Sequence, residues 1–152
     1  ADKAQAEYVV RAAYDLGFTY GLPKPPSDED LASGVAAFDA FVKRFPDHEL
    51  AVSARVVQLQ ARMARGRFAD AATAAKEFLA DARRAEKPQA ADVRNLLGLA
   101  LRQQGKFTEA IAAWREFLTK HPSHAGWSGV QQQLIETDYL LALNERHVSA
   151  IA

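Results

Sequence analysis

Four histidines and no cysteine bound the metal and nucleophilic chemistry open to this 152-residue chain. His121 and His124 stand i, i+3 around Pro122, and His48 follows Asp47 at an equivalent turn, so the three could be read as metal ligands. Turns between helices are exposed and tolerate histidine, and successive turns of this kind lie about one repeat apart. Solvated histidines and no metal are therefore expected. Every serine falls in a turn, at a helix start or in the tail, and no Gly-x-Ser-x-Gly elbow is present. No glycine-rich phosphate loop occurs either: Gly17 and Gly21 flank Phe18 and Tyr20, and Gly126 and Gly129 flank Trp127. Asp28-Glu29-Asp30 could supply paired carboxylates, but at a helix N-terminus acids complement the dipole, so a cap is the better reading. Arg62, Arg65 and Arg67 could hold phosphate, yet without interleaved aromatics they read as a solvated helix end, as does Arg83-Arg84. The residues thus point to no catalytic, cofactor-binding or metal site, and to a protein that is not an enzyme.

The whole-chain balance agrees. Nineteen basic residues offset nineteen acidic ones, which argues against a nucleic-acid or membrane-surface partner, since both need a strong positive field. No apolar run approaches the roughly 20 residues of a membrane span. The chain opens at Ala1 without methionine or an apolar leader, which suggests a start that was processed or cut. Lack of cysteine fits either redox compartment. Thirty-one alanines against few β-branched residues favour closely packed helices over strands.

The elements emerge from one stretch, residues 91–124. Val93, Leu96, Leu97, Ala100 and Leu101 recur at helical spacing until Gln104-Gly105, where glycine supplies a left-handed cap. Thr108 reads as an N-cap, Ile111, Trp114, Phe117 and Leu118 form a second stripe, and Pro122 closes the unit. This stretch resembles the tetratricopeptide repeat, a helix-turn-helix unit of about 34 residues. Leu97-Gly98 takes the Leu-Gly place, Leu101 replaces the tyrosine, Ala110 is the small residue, Trp114 the aromatic and Pro122 the closing proline. Gly98 and Ala110 lack bulk and let the helices approach, while Trp114 fills the space between repeats.

Other segments look like copies. A helix from about Ala4 to Leu22, with Val9, Ala12, Ala13, Leu16 and Tyr20 on one face, ends in Leu16-Gly17-Phe18-Thr19-Tyr20. After the break Pro23-Lys24-Pro25-Pro26, Ser27 begins a second helix with Gly34 as small residue, Phe38 as aromatic and Pro46 as stop. A third helix starts at the expected N-cap Asp47 and has two apolar faces. Gly66-Arg67-Phe68 repeats the Gly105-Lys106-Phe107 turn, and a fourth helix is expected to run to about Glu86 before Lys87-Pro88. There the pattern is degenerate: Gln58, Leu59 and Arg62 stand where Leu97, Gly98 and Leu101 stand later. A last helix, about 125–144, has Trp127, Val130, Leu134, Ile135, Leu140 and Leu141 toward the body and resembles a capping helix, with the tail beyond Asn144 frayed.

The resemblance implies a single all-α domain over 1–152, a right-handed α-α superhelix of about seven helices: repeats at about 9–47, 52–88 and 91–124, then the cap. It implies a non-enzymatic scaffold binding a peptide or partner protein in a concave groove. By alignment the groove takes Arg11, Tyr14 and Phe18 from the first repeat, Val56, Gln60 and Met63 from the second, and Asn95, Leu99 and Arg102 from the third. The alternative is a self-associating structural module of a larger bacterial envelope protein, a homo-oligomer pairing through the last helix. The phrase Phe38-Asp39-Ala40-Phe41-Val42-Lys43-Arg44-Phe45-Pro46-Asp47 resembles the bacterial cell-envelope subset of the family and leans the localisation toward the periplasm.

Overall fold

The computed structural model describes residues 2–151. Among them are eight α-helices, one 3-10 helix and no strand, the all-α class expected. No described helix is long and apolar enough to cross a membrane. The chain divides into two compact units, Ala1–Arg67 and Phe68–Ala152.

The first unit opens with α1 (Lys3–Asp15), capped by Asp2, whose carboxylate accepts from the Ala4 N–H. The helix does not run to Leu22: it tightens into a 3-10 turn at Leu16–Tyr20, which Gly21 closes at φ 79°. Its core face also differs from the expected one. Of the expected residues Ala13 and Tyr20 do pack inward, but Val10 and Tyr14 join them, whereas Val9 and Leu16 are 38% and 50% exposed. Gly17 sets this phase. A Cβ on Gly17 would lie 2.5 Å from the Phe38 ring, so Gly17 must face Phe38, and the residues three, four and seven positions earlier share its side.

The cis Leu22–Pro23 bond lies in the connecting turn, where the buried Leu22 side chain occupies the space a Cβ on Gly34 would need. Helix α2 (Asp28–Arg44) starts at Ser27, whose hydroxyl oxygen accepts from the Asp30 N–H at 3.0 Å. Leu31, Phe38 and Phe41 form its buried stripe, with Tyr14 against both phenylalanine rings at 5.5 and 5.4 Å. Helix α3 (Glu49–Ala64) is capped by His48 and not by Asp47, because His48 Nδ1 accepts from the Leu50 N–H.

The second unit holds α4 (Phe68–Ala80), α5 (Ala82–Ala85), α6 (Ala90–Gln103), α7 (Phe107–Lys120) and α8 (Trp127–Ile151). Helix α4 stops at Ala80, short of Glu86: Asp81 turns extended and its carboxylate accepts from the Arg83 N–H to start the short α5, one helix more than the seven expected. Helix α7 begins at Phe107 behind Lys106, so Thr108 lies inside the first turn and does not cap it. Helix α4 packs on α6, α6 on α7 and α7 on α8. The fully buried Trp114 ring lies where a Gly98 Cβ would be, and Trp127 fastens α8 by donating its indole N–H to the Leu118 carbonyl at 3.2 Å. Residues after Asn144 stay helical through Ile151, and α8 exposes Ile135 (59%) and Leu140 (38%), two residues expected to face the body.

Gly17 against Phe38 and Gly98 against Trp114 are the same device in two units. An alanine inside a helix ordinarily gains about 1 kcal/mol over glycine. At these sites it must displace a rigid ring, so Gly98→Ala and Gly17→Ala are each expected to destabilise by about 1–3 kcal/mol. Lys106→Ala should stay within about 0.5 kcal/mol. Urea denaturation measures all three, and glycine variants as stable as the parent would contradict the close approach.

Candidate functional site

The groove positions of the first unit form a strip on α1 and its 3-10 turn. Arg11 is exposed, pairs with Asp15 at 3.1 Å and lies 5.9 Å from the Tyr14 ring centre. Tyr14 is buried, which raises its phenol pKa, opposed by the Arg11 charge. Phe18, 37% exposed, stands edge-on to Tyr14 and Phe38 at 5.2 and 5.3 Å, so only its outer edge meets solvent. On α3, Val56 is buried, Met63 half-buried and Gln60 exposed.

Beside them lies Gln58, which in the sequence marks the degenerate repeat. Gln58, 2% exposed, donates its amide to the Val35 carbonyl and to Asp39 Oδ1, both at 2.9 Å, and so ties α3 to α2. The apparent degeneracy of the repeat at this position is a polar cross-link. Arg65 and Arg67 reach back to Asp28 at 2.9 and 3.1 Å, and the Arg65 hydrogen bond leads in lowering the Asp28 pKa.

In the second unit Asn95, Leu99 and Arg102 share one face of α6, all half-buried. Asn95 Oδ1 accepts the Trp114 indole N–H at 3.1 Å, so this amide holds the aromatic in its glycine seat. Arg102 donates to Gln133 and lies 3.7 Å from Glu136, both on α8. Gln133 and Glu136 thereby extend the α6 face onto α8. A sequence profile described as the tetratricopeptide repeat matches residues 56–125, across α6, α7 and the Gly98–Trp114 seat. Residues 56–125 carry tetratricopeptide repeats. No curated protein matches it. Tetratricopeptide repeats generally mediate protein–protein interaction, and their domains are typically non-enzymatic scaffolds.

Two turns of the chain share a device outside the repeat pattern. Phe45-Pro46-Asp47-His48 and His121-Pro122-Ser123-His124 have nearly the same backbone at their first residues, φ −129°, ψ 58° and φ −128°, ψ 55°. In each, the last histidine accepts a backbone N–H through Nδ1: from Leu50 at 3.1 Å for His48 and from Gly126 at 3.0 Å for His124. Each ring also stands edge-on to a buried phenylalanine, Phe41 or Phe117. The repeated Pro-x-His spacing was a visible signal. Among the described residues no three His, Asp or Glu side chains gather as a metal site.

His121 has a different role. Arg94, 2% exposed on α6, reaches Glu116 at 3.3 Å, the Ala90 carbonyl at 3.4 Å and His121 Nε2 at 3.2 Å. A guanidinium can only donate, so His121 Nε2 is the unprotonated nitrogen of a neutral ring. Burial first, then the charges of Arg94, His124 and Lys120, hold its pKa below the ordinary histidine value, with Glu116 opposing. The turn at 85–88, Lys120 and His121 line a cleft of about 410 Å³ beside this pair. Arg94, on the apolar side of α6, gave no signal in sequence beyond breaking that stripe.

Two outcomes are expected. Asn95→Ala strands the indole N–H and should cost about 1–3 kcal/mol, whereas a residue that served ligand contact alone would leave the melting curve unchanged. For His121, the unfolded chain takes a proton near pH 6.5 while the folded chain resists it. Stability is therefore full above that value and falls as pH drops from about 6.5 toward the lower folded pKa. Glu116, its pKa lowered first by Lys120, adds stability that is lost only at lower pH, as pH falls from the ordinary carboxylate range through its lower folded pKa. His121→Gln should flatten the decline between about pH 7 and 5. An unchanged slope in pH-resolved thermal denaturation would place the proton uptake elsewhere.

Proposed function

We propose that this protein holds a peptide or partner protein along the inner faces of the first helices of its repeats, without catalysing a reaction. In this reading the repeats cover about residues 9–47, 52–88 and 91–124, and α8 closes the set. The observation that carries it is the α6 face: Leu99 and Arg102 are half-buried yet accessible, and Gln133 and Glu136 of α8 continue it with amide and carboxylate groups. Apolar anchors beside amides suit an extended or helical peptide. In the first unit Gln60, Met63, Arg11 and the edge of Phe18 are available for the same work, while Tyr14 and Val56 act through packing. Net charge zero favours a protein partner over nucleic acid.

A second reading, self-association, is favoured by one feature of α8: Ile135, Tyr139 and Leu143 are 59%, 65% and 42% exposed at i, i+4, i+8.

Site-specific photo-crosslinking tests the first reading. A benzophenone side chain at Leu99 or Gln60 is expected to capture a partner from the source cells, while the same group at exposed Thr73 or Thr119 is not. Equal capture from all four positions, or capture from Thr73 and Thr119 alone, would sink the groove.

A further inference from the structure

The outer side of α8 carries more apolar surface than a solvated helix needs. Tyr139 (65%), Leu143 (42%) and Leu140 (38%) lie together, with Ile135 (59%) at one border. The opposite side of the helix is the one that packs on the body, through Val130 (2%) and Thr137 (0%). From Ile135 to Leu143 the stripe runs about 12 Å along the axis, and the helix continues for about two further turns.

Charge around this stripe is divided by position. Glu136 borders its N-terminal part; its side chain is 43% exposed, it accepts from Gln132 at 2.9 Å and it lies 3.7 Å from Arg102. Arg146 and His147 border its C-terminal part, both exposed. Asp138 and Glu145 fall on the other side of the helix, about a third of a turn or more from Tyr139 and Leu143. A parallel pair of such helices would set Glu136 against Glu136 and Arg146 against Arg146. An antiparallel pair centred near residue 141 does the reverse: Glu136 of one copy lies level with Arg146 and His147 of the other, on the His147 flank, and Tyr139 meets Leu143 twice, by symmetry.

We propose that a second copy of this chain docks antiparallel on the outer face of α8, with Tyr139 of each copy against Leu143 of its partner. The inference rests on the self-association reading and adds the polarity of the pair and the residues that meet. A face this narrow covers well under the roughly 1,600 Å² of a standard interface, so the dimer should dissociate on dilution.

The chain has no native cysteine, which permits a clean test. Tyr139→Cys and Leu143→Cys are made as separate variants, one carrying a tag that changes its mobility. Under mild oxidation their mixture is expected to form the mixed disulfide dimer several times faster than either variant alone forms its own. In the parent chain, sedimentation should give a mass that rises with concentration. Leu143→Glu, which sets a carboxylate in the apolar centre, should weaken that association by roughly tenfold or more without changing the helical circular dichroism. Faster linkage of each variant with itself would overturn the antiparallel polarity. Concentration-dependent mass that Leu143→Glu leaves intact would overturn the α8 site while self-association stood. A fixed monomer with no disulfide dimer at any concentration would overturn both.

Discussion

Two helix pairs of this protein, one in each unit, depend on one steric bargain: a glycine gives up its side chain so that a ring from the facing helix can occupy the space. Gly98 and Trp114 do this in one unit, Gly17 and Phe38 in the other. The rings are fully buried, and their shape allows one helix separation and little sliding. Neighbouring residues adjust to that contact. Asn95 takes the indole N–H that burial would otherwise orphan, and the core of the first unit gathers Tyr14, Phe38 and Phe41 into touching rings. Small residues elsewhere, such as Ala71, Ala75 and Ala110, are fully buried because the backbones are already close.

Much of this was legible from residue spacing. Leu-Gly with an aromatic at the matching distance located both seats, even though the first unit carries five more residues between them: 21 positions separate Gly17 from Phe38 and 16 separate Gly98 from Trp114. Helix ends with strong local chemistry were also legible, as with Ser27 before three acids and Gly105 at φ 73°. The phase of α1 is only partly legible because Val9, Ala12 and Leu16 repeat at helical spacing beside Ala13 as well as Val10 and Tyr14 do. Only the requirement that Gly17 face Phe38 decides between them. For α8 the same ambiguity has no internal arbiter: both sides are apolar, and the sequence does not say which side has a neighbour.

The candidate surface was less legible than the fold, for a physical reason. Alignment can state which residues share a face, but it cannot state which polar groups are already consumed by their neighbours. Asn95 and Arg102 have the right address, yet one serves Trp114 and the other engages α8. Arg94 and Gln58 are the converse. Both are polar residues on apolar faces, where composition suggests a flaw, and both are buried with their hydrogen bonds made inside the protein.

Gln58 has one more implication. The buried apolar side chains that α3 adds to this core are Ala51, Ala54 and Ala61, too short to interlock, with Leu50 and Val57 partly buried beside them. A smooth interface of that kind could shift by a helical turn with little loss of apolar contact. The amide prevents the shift, because its two acceptors, the Val35 carbonyl and Asp39, are reachable together from one register. In any other it would be buried and unpaired, at a cost of about 1–3 kcal/mol. A single polar side chain thereby acts as an index pin, giving an alanine-lined joint one stopping position where packing alone would allow several.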